Sequence, residues 1–150
     1  MELVLFIGLP ASGKTSFYQQ RFASTHLHVS KDLMPNQKRR DRRQAQMIEQ
    51  AFERGGSVVL DNTHPARVDR RAWLELAHRW KAEPVGYYFA SSLAECQARN
   101  QARERQVPEV AFFSILKKLE RPAPEEGFAR LYYVRLTATG FQVEDYNHAL

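Results

Sequence analysis

The stretch that most constrains this fold lies at the start of the chain. Residues 3–7, Leu-Val-Leu-Phe-Ile, form an unbroken apolar run, which is typical of a parallel strand buried on both faces. Gly8, Gly13, Lys14 and Thr15 follow with the spacing G-x-x-x-x-G-K-[ST], the pattern of a loop that wraps phosphate groups. Because such a loop joins a buried strand to the start of a helix, the stretch predicts an α/β fold with an anion site.

The residue types in this loop suit the phosphates of a nucleotide. Because glycine has no Cβ, the backbone at Gly8 and Gly13 can turn tightly and approach an anion closely. Lys14 is placed to reach the β- and γ-phosphates, and the Thr15 hydroxyl can ligate Mg²⁺. We expect the nucleotide to be held by consecutive loop residues: Gly8, Leu9, Pro10, Ala11, Ser12, Gly13, Lys14, Thr15 and Ser16.

Length and cysteine content limit the number of domains and the cellular compartment that we expect. A chain of 150 residues suggests one domain, residues 1–150. No apolar run approaches the roughly 18 residues of a membrane span, and Glu2 stands where a signal peptide would carry basic residues. The single cysteine, Cys96, excludes an internal disulfide and fits a reducing cytoplasm. We therefore expect a cytoplasmic protein with no membrane partner.

The positive charge of the chain favours an anionic partner. The net charge is +5, which suits nucleic acid or nucleotide, although many basic proteins bind nothing specific. Residues 38–43, Lys-Arg-Arg-Asp-Arg-Arg, concentrate that charge. Since several phosphates need several cations, this run favours a polyanionic acceptor, and the alternative is a solvated helix start.

Apolar runs and helical periodicities alternate along the chain, which predicts a parallel sheet of about five strands covered by helices on both faces. The expected strands lie at about 2–8, 26–30, 57–61, 84–90 and 131–136. The expected helices lie at about 13–22, 40–54, 65–81, 92–105 and 108–119. Residues 121–127 are an expected irregular connection, and residues 141–150 an expected tail of uncertain order.

The two helices before the last strand carry a mixed pattern. The first begins with apolar Leu93 and Cys96, and the same stripe continues with Arg99 and Arg103. A face that turns from apolar to cationic indicates that its far end approaches an anion, unless these arginines are simply solvated. The second helix has its apolar positions at Val110, Phe113 and Leu116.

Two carboxylates follow predicted strands. Asp61 ends a buried strand, where open parallel sheets place ligand groups, and Asp32 follows the short strand at 26–30. A kinase needs one carboxylate for the acceptor hydroxyl and another near the metal. Asp32 is the candidate for the first and Asp61 for the second or for the acceptor network. The alternative for Asp32 is a helix-capping or solvated side chain.

Negative observations narrow the class of phosphate-loop protein. The guanine-reading N-K-x-D pattern is absent, and Asp61 is followed by Asn-Thr-His instead of the D-x-x-G of a switch GTPase. The chain is also small for a motor ATPase. A small kinase is therefore the favoured class.

Several motifs together resemble the kinase domain of the 5′-polynucleotide kinases. They are Gly-Leu-Pro-Ala-Ser-Gly-Lys-Thr at 8–15, His-Val-Ser-Lys-Asp at 28–32, Val-Val-Leu-Asp-Asn-Thr-His-Pro at 58–65, and Arg-Asn-x-x-Arg at 99–103. Glu-Glu-Gly-Phe at 125–128 is similar to a segment of the mammalian-type enzymes. The resemblance spans about residues 3–136. It implies an adenylate-kinase-like, three-layer P-loop kinase fold with a short helical lid at about 92–120.

The resemblance implies catalytic roles for three residues, Asp32, Lys14 and Arg103. Asp32 would be the general base that activates a 5′-hydroxyl of DNA or RNA. Lys14 would hold the phosphates of ATP. Arg103 would contact the migrating phosphate as the lid arginine, with Arg99 beside it.

The resemblance also implies a metal and an acceptor site. Thr15 and Asp61 would hold Mg²⁺, and Asp61, Asn62 and Thr63 would face the acceptor. An acceptor-phosphate arginine stands three residues after the base in some branches, where this chain has Pro35, and seven residues after it in others, which makes Arg39 the candidate.

One departure and two alternatives remain. The family has the sequence Asp-Asn-Thr-Asn at this motif, whereas this chain has Asp-Asn-Thr-His at 61–64. No role from the family is therefore carried over to His64. Small-molecule kinases use the same frame, and a nucleotide-binding module could sense ATP without phosphotransfer. The choice of DNA or RNA, the donor nucleobase and self-association stay open.

Overall fold

Strands and helices alternate along residues 1–149, the part of the chain that this computed structural model describes, with side chains described to residue 147. The strands are β1 (Glu2–Ile7), β2 (His26–Val29), β3 (Ser57–Asp61), β4 (Glu83–Phe89), β5 (Arg130–Thr137) and β6 (Gly140–Asp145). The helices are α1 (Lys14–Arg21), α2 (Arg40–Glu53), α3 (Arg67–Arg79), α4 (Leu93–Gln101), α5 (Glu109–Lys118) and α6 (Tyr146–Ala149). Short 3₁₀ turns occupy Lys31–Leu33 and Pro124–Glu126.

The strands form one sheet in the order β2-β3-β1-β4-β5-β6. The first five are parallel, as expected, and β6 is antiparallel to β5. β1 lies between β3 and β4, with Leu5 beside Leu60 on one side and Gly86 on the other. Because parallel strands end at the same rim, the loops after β1, β2 and β3 meet there.

Side chains of β1 alternate between two cores, which gives the three-layer arrangement. Leu3, Leu5 and Ile7 pack into the core beneath α2 and α3, whereas Val4 and Phe6 pack into the core beneath α1. All five are fully buried. This confirms the fold class expected from the sequence.

The expected tail is instead a strand and a helix. Residues 140–145 form β6, and Phe141 packs on Phe17 of α1 with ring centroids 5.1 Å apart. Phe141 and Val143 are two residues apart, so both side chains point to the same face of the strand and pack into the α1-side core. This packing stabilises the pairing of β6 with β5. The last residue of the expected domain, Leu150, lies outside the described residues.

The helices between β4 and β5 differ from the expected pattern. α4 ends at Gln101, four residues before the expected end, and α5 buries Phe112. The expected apolar positions of α5 face solvent, since Val110, Phe113 and Leu116 are 74%, 53% and 40% exposed. Apolar spacing alone cannot show which side of a helix has a neighbour, and here Leu9 and Cys96 lie on the side of Phe112.

Within the described residues, none of the helices combines the length and apolar character required to cross a membrane.

Candidate active site

The loop at residues 8–15 depends on glycine at both ends. Gly8 has φ 155° and Gly13 has φ 98°, and both lie in the region that favours glycine. A Cβ at Gly8 would lie 3.0 Å from the Phe89 carbonyl oxygen, and one at Gly13 would lie 3.0 Å from the Phe141 ring. β6 therefore helps to enclose the loop, a role that the motif alone did not reveal.

Lys14 is folded back onto its own loop. Its Nζ donates to the carbonyl oxygens of Gly8 at 3.1 Å and Leu9 at 2.6 Å, and to Ser12 Oγ at 3.4 Å. Burial lowers the pKa of Lys14 to about 8, although Asp61 and Asp32 oppose the shift. An incoming phosphate would offer Nζ a charged partner in place of two neutral carbonyls.

Asp61 links the loop to the second strand. Thr15 Oγ1 donates to Asp61 Oδ2 at 2.9 Å, and His28 Nε2 lies 2.9 Å from the same oxygen. The His28 ring stacks on Tyr18, with centroids 4.0 Å apart and an interplanar angle of 16°. Sequence reasoning assigned no role to His28. Its only signal was a histidine on the short strand before Asp32.

The Thr15 and Asp61 oxygens fit a magnesium ion chemically. Mg²⁺ prefers hard oxygen ligands and is usually bound by one or two protein groups together with substrate phosphates and water. A hydroxyl and a carboxylate oxygen lie 2.9 Å apart beside the phosphate loop. Mg²⁺ held by these two groups would neutralise phosphate charge at that point.

Asp32 lies on the 3₁₀ turn after β2 and is exposed on the rim that also carries Lys14. Its backbone N–H donates to Ser30 Oγ at 3.2 Å. The turn is held from β3, because Lys31 N–H donates to Asn62 Oδ1 at 3.0 Å. Asn62 also exchanges hydrogen bonds with the buried Gln44 of α2. Its side chain is thus occupied in supporting the turn of Asp32 and does not cap α3.

The basic run surrounds the start of α2. Arg40 and Arg42 line the same cavity as Asp32, and so does Lys31, which pairs with Asp41 at 2.9 Å. Arg39 is the N-cap residue of α2, has φ 55°, and is not among the cavity-lining residues. Its role as the acceptor-phosphate arginine stays a prediction. Arg40 and Arg42 belong to the basic run that the sequence analysis linked to a polyanionic acceptor, but neither was given an individual role.

Two arginines, Arg99 of α4 and Arg103 of the turn after it, lie next to the phosphate loop. Arg99 Nη1 donates to the Ala11 carbonyl at 3.2 Å and to Ser91 Oγ at 3.0 Å. Arg103 is exposed and lines the cavity close to Lys14. The face that begins at Cys96 therefore ends at the phosphate loop.

His64 and Arg70 form a buried support behind the rim. His64 has φ 44° and is 4% exposed, and its Nδ1 donates to the Phe6 carbonyl at 2.7 Å. Within the described residues its Nε2 has no hydrogen-bond partner, and burial lowers the pKa of His64 to about 4. Arg70 is fully buried, donates to the His64 carbonyl at 2.8 Å, and pairs with Glu126 at 2.8 Å.

One cavity of about 1210 Å³ gathers most of the predicted site. The predicted residues that line it are Pro10, Ala11, Gly13, Lys14, Thr15, Ser16, Asp32, Asp61, Asn62, Thr63, Arg99 and Arg103. Those outside its lining are Gly8, Leu9, Ser12 and Arg39. Gly8, Leu9 and Ser12 nevertheless contact Lys14.

A curated relative is similar in sequence to most of this chain. The bifunctional polynucleotide phosphatase/kinase of Schizosaccharomyces pombe is 28% identical over 137 residues, which cover 87% of this chain and 32% of the relative. The chain thus spans about a third of the length of the curated relative that it matches. The resemblance indicated by the motifs is confirmed.

Solved structures share the fold at low identity. Kti12 of Chaetomium thermophilum in complex with ADP-AlF3 has a TM-score of 0.72 at 17% identity, covering 89% of this chain and 88% of that chain. A sugar kinase from Janibacter sp. HTCC2649 has a TM-score of 0.68 at 16% identity, covering 90% and 85%. A fungal RNA kinase has a TM-score of 0.66 at 14% identity, covering 89% and 38%.

The family follows from the match of a family model to most of the chain. The phosphate loop, β3 with Asp61, α4 with Arg99, and the turn with Arg103 all lie within the matched segment. That segment is residues 3–122, and the model is described as an AAA domain, so this chain belongs to that AAA domain family, with the P-loop kinase fold.

Proposed function

We propose that this protein transfers the γ-phosphate of ATP to the 5′-hydroxyl of a polynucleotide. One observation carries the proposal: a carboxylate, Asp32, shares a cavity with Lys14 of the phosphate loop and with cations on both sides. Arg99 and Arg103 lie towards the donor, and Lys31, Arg40 and Arg42 lie towards the acceptor. This distribution of charge suits two phosphorylated substrates that meet end to end.

The curated relative supports the same assignment. It is described as a polynucleotide phosphatase/kinase, and the matched third of its length corresponds to the phosphate-loop domain described above. We therefore assign to this chain the kinase reaction of such a protein, and we assign no phosphatase chemistry to it.

Each proposed catalytic residue acts on a stated group. The Asp32 carboxylate accepts the proton of the acceptor hydroxyl as its oxygen attacks the γ-phosphorus in line. Lys14 Nζ leaves the carbonyls of Gly8 and Leu9 and donates to phosphate oxygens, while Arg103 donates to the migrating phosphoryl group. Mg²⁺ bound by Thr15 and Asp61 would supply further neutralisation of the phosphate charge.

The acceptor strand would enter between the turn at Asp32 and α2. Arg40 and Arg42 would hold the phosphate that follows the first nucleoside, with Arg39 at the rim. Asn62 acts indirectly, because it holds the backbone of Lys31 and so sets the position of Asp32.

Transfer of labelled γ-phosphate to a single-stranded oligonucleotide with a 5′-hydroxyl tests the proposal. We expect label on that strand and none on a 5′-phosphorylated strand. Asp32→Asn should lower kcat by about 10²–10⁴-fold while ATP binding stays within about threefold, because a general base acts in the chemical step. Glu53→Gln, an exposed carboxylate at the end of α2, is the matched control.

Two other outcomes would overturn the proposal. If no strand is labelled but a hydroxylated small molecule is labelled, with the same dependence on Asp32, the protein is a small-molecule kinase. The structural similarity to the sugar kinase makes this the second candidate function. If ATP binds and neither class of acceptor is labelled, the protein is an ATP-sensing module.

A further inference from the structure

Helix α5 presents three faces with different surroundings. Ala111, Ile115 and Lys118 line the cavity, and Phe112 is buried against Leu9 and Cys96. The third face carries exposed apolar side chains: Val110, Phe113 and Leu116, at 74%, 53% and 40% exposure. At 100° per residue Phe113 points almost opposite to the cavity face. This outer face therefore does not contact a substrate in the cleft.

The outer face has an internal mirror order centred on Phe113. Val110 lies three residues before it and Leu116 three residues after, and Glu109 and Lys117 lie four residues before and after. If a second copy of α5 packs antiparallel with Phe113 on the two-fold axis, Val110 meets Leu116 and Glu109 meets Lys117 of the other copy. Each contact occurs twice, as an isologous interface requires.

The charges on α5 favour the antiparallel arrangement of the two helices over the parallel one. In an antiparallel pair Glu109 faces a lysine, and the two helix dipoles are also opposed. In a parallel pair Glu109 would face Glu109 and Lys117 would face Lys117, which is repulsive. Exposed Glu109 and Glu120 at the two ends also make this face a poor surface for nucleic acid.

We propose that the outer face of α5 is the contact of a homodimer with two antiparallel copies of this helix. One pair of ten-residue helices buries less than the roughly 1,200–2,000 Å² of a standard interface. The dimer is therefore reversible and concentration-dependent. Since its face points away from the cleft, each subunit keeps its own active site.

Sedimentation velocity from about 1 µM to about 1 mM tests the dimer, because this range covers the affinities of small interfaces. We expect the wild type to shift from monomer to dimer. Phe113→Asp should stay monomeric across the range, since it places two carboxylates on the axis. Ser114→Asp, an exposed neighbour outside the mirror set, is the matched control and should dimerise as the wild type does.

A charge exchange tests the orientation. Glu109→Lys and Lys117→Glu should each weaken dimerisation by about tenfold or more, and the double exchange in one chain should restore it, because the pair then reforms with inverted signs. A wild type that is monomeric at all concentrations, or a dimer that neither Phe113→Asp nor the single exchanges weaken, overturns the proposal. An unrestored double exchange overturns the antiparallel arrangement.

Nucleotide binding separates this proposal from the proposed function. Phe113→Asp should bind ATP as tightly as the wild type, which also shows that it is folded. Loss of dimerisation with ATP binding retained supports the interface whatever the acceptor proves to be.

Discussion

At the residue scale, His28 sets the position of the carboxylate that we assign to the metal. Its Nε2 and the Thr15 hydroxyl both bond Asp61 Oδ2 at 2.9 Å, and Tyr18 holds its ring by stacking. Groups that orient metal ligands commonly contribute 10–100-fold to metal affinity. His28 therefore belongs to the site although it does not line the cavity.

We expect His28→Gln to raise the Mg²⁺ concentration needed for half-maximal ATP binding by about tenfold. Calorimetric titration of ATP at several Mg²⁺ concentrations measures this without any acceptor. His26→Gln is the matched control on the same strand, since His26 bonds Glu2 and not Asp61. An unchanged Mg²⁺ requirement in His28→Gln would contradict the role.

His64 makes stability depend on pH. Its pKa is lowered to about 4 in the folded state, against about 6.5 in an unfolded chain, so the unfolded state binds more protons between these values. The free energy of unfolding should hence fall by about 3 kcal/mol from this group as pH drops from 6.5 to 4. The contribution is complete above pH 6.5.

Urea unfolding at several pH values measures the effect, with His64→Asn as the variant. Asparagine tolerates the φ of 44° better than most residues. We expect a flatter pH profile in His64→Asn, whatever its absolute stability. His78→Asn, on exposed His78, should keep the wild-type slope, and equal slopes in all three proteins would refute the prediction.

At the element scale, Arg70 joins α3 to the segment that follows α5. Its guanidinium bonds both Glu126 oxygens, the carbonyls of His64 and Pro65, and the carbonyl of Glu120. Pro65 also accepts from the Glu120 N–H at 2.7 Å. The segment after α5 is thus anchored to the loop that follows Asp61.

Arg70→Met should lower the free energy of unfolding by about 3–5 kcal/mol, because it leaves Glu126 buried without its partner. Chemical denaturation gives the value. Arg71→Met, on the exposed neighbour, should change stability by no more than about 0.5 kcal/mol. Adding Glu126→Gln to Arg70→Met should cost less than the sum of the single effects, and strict additivity would argue against the pair.

At the scale of the whole molecule, we expect the positive charges that line the cleft to contribute most to binding of a polyanionic acceptor. The net charge is +5, and many of the basic residues lie on outer surfaces. Lys31, Arg40 and Arg42 line the cavity and are the cations that we propose for the acceptor. These three should contribute strongly to the salt dependence of acceptor binding.

Arg40→Gln and Arg42→Gln should each reduce the slope of log affinity against log salt by about 0.7, the value for one lost contact to a single strand. Fluorescence anisotropy with a labelled 5′-hydroxyl oligonucleotide measures it. Arg54→Gln, at the far end of α2, should leave the slope unchanged, and Arg39→Gln tests the arginine chosen from the sequence. A slope that falls equally in all four variants would indicate nonspecific attraction.

The sequence by itself determined the parts of this protein that local chemistry dictates. The apolar runs predicted β1 and β3, because a strand buried on both faces rarely tolerates polar residues. The loop motif predicted that Lys14 and Thr15 face the phosphates, since that spacing of glycine, lysine and hydroxyl is typical of a phosphate-binding loop. Order along the chain also placed Asp32 and Asp61 at strand ends on one rim.

Only the tertiary structure decided which side chains meet. His28 contacts Asp61, Gln44 contacts Asn62, and Arg70 contacts Glu126, at separations of 33, 18 and 56 residues. No local pattern marks such contacts. The same holds for α5, where helical spacing showed an apolar stripe but the neighbouring elements decided that Phe112 is buried and Phe113 exposed. Burial depends on what packs against a face, and that is a property of the whole fold.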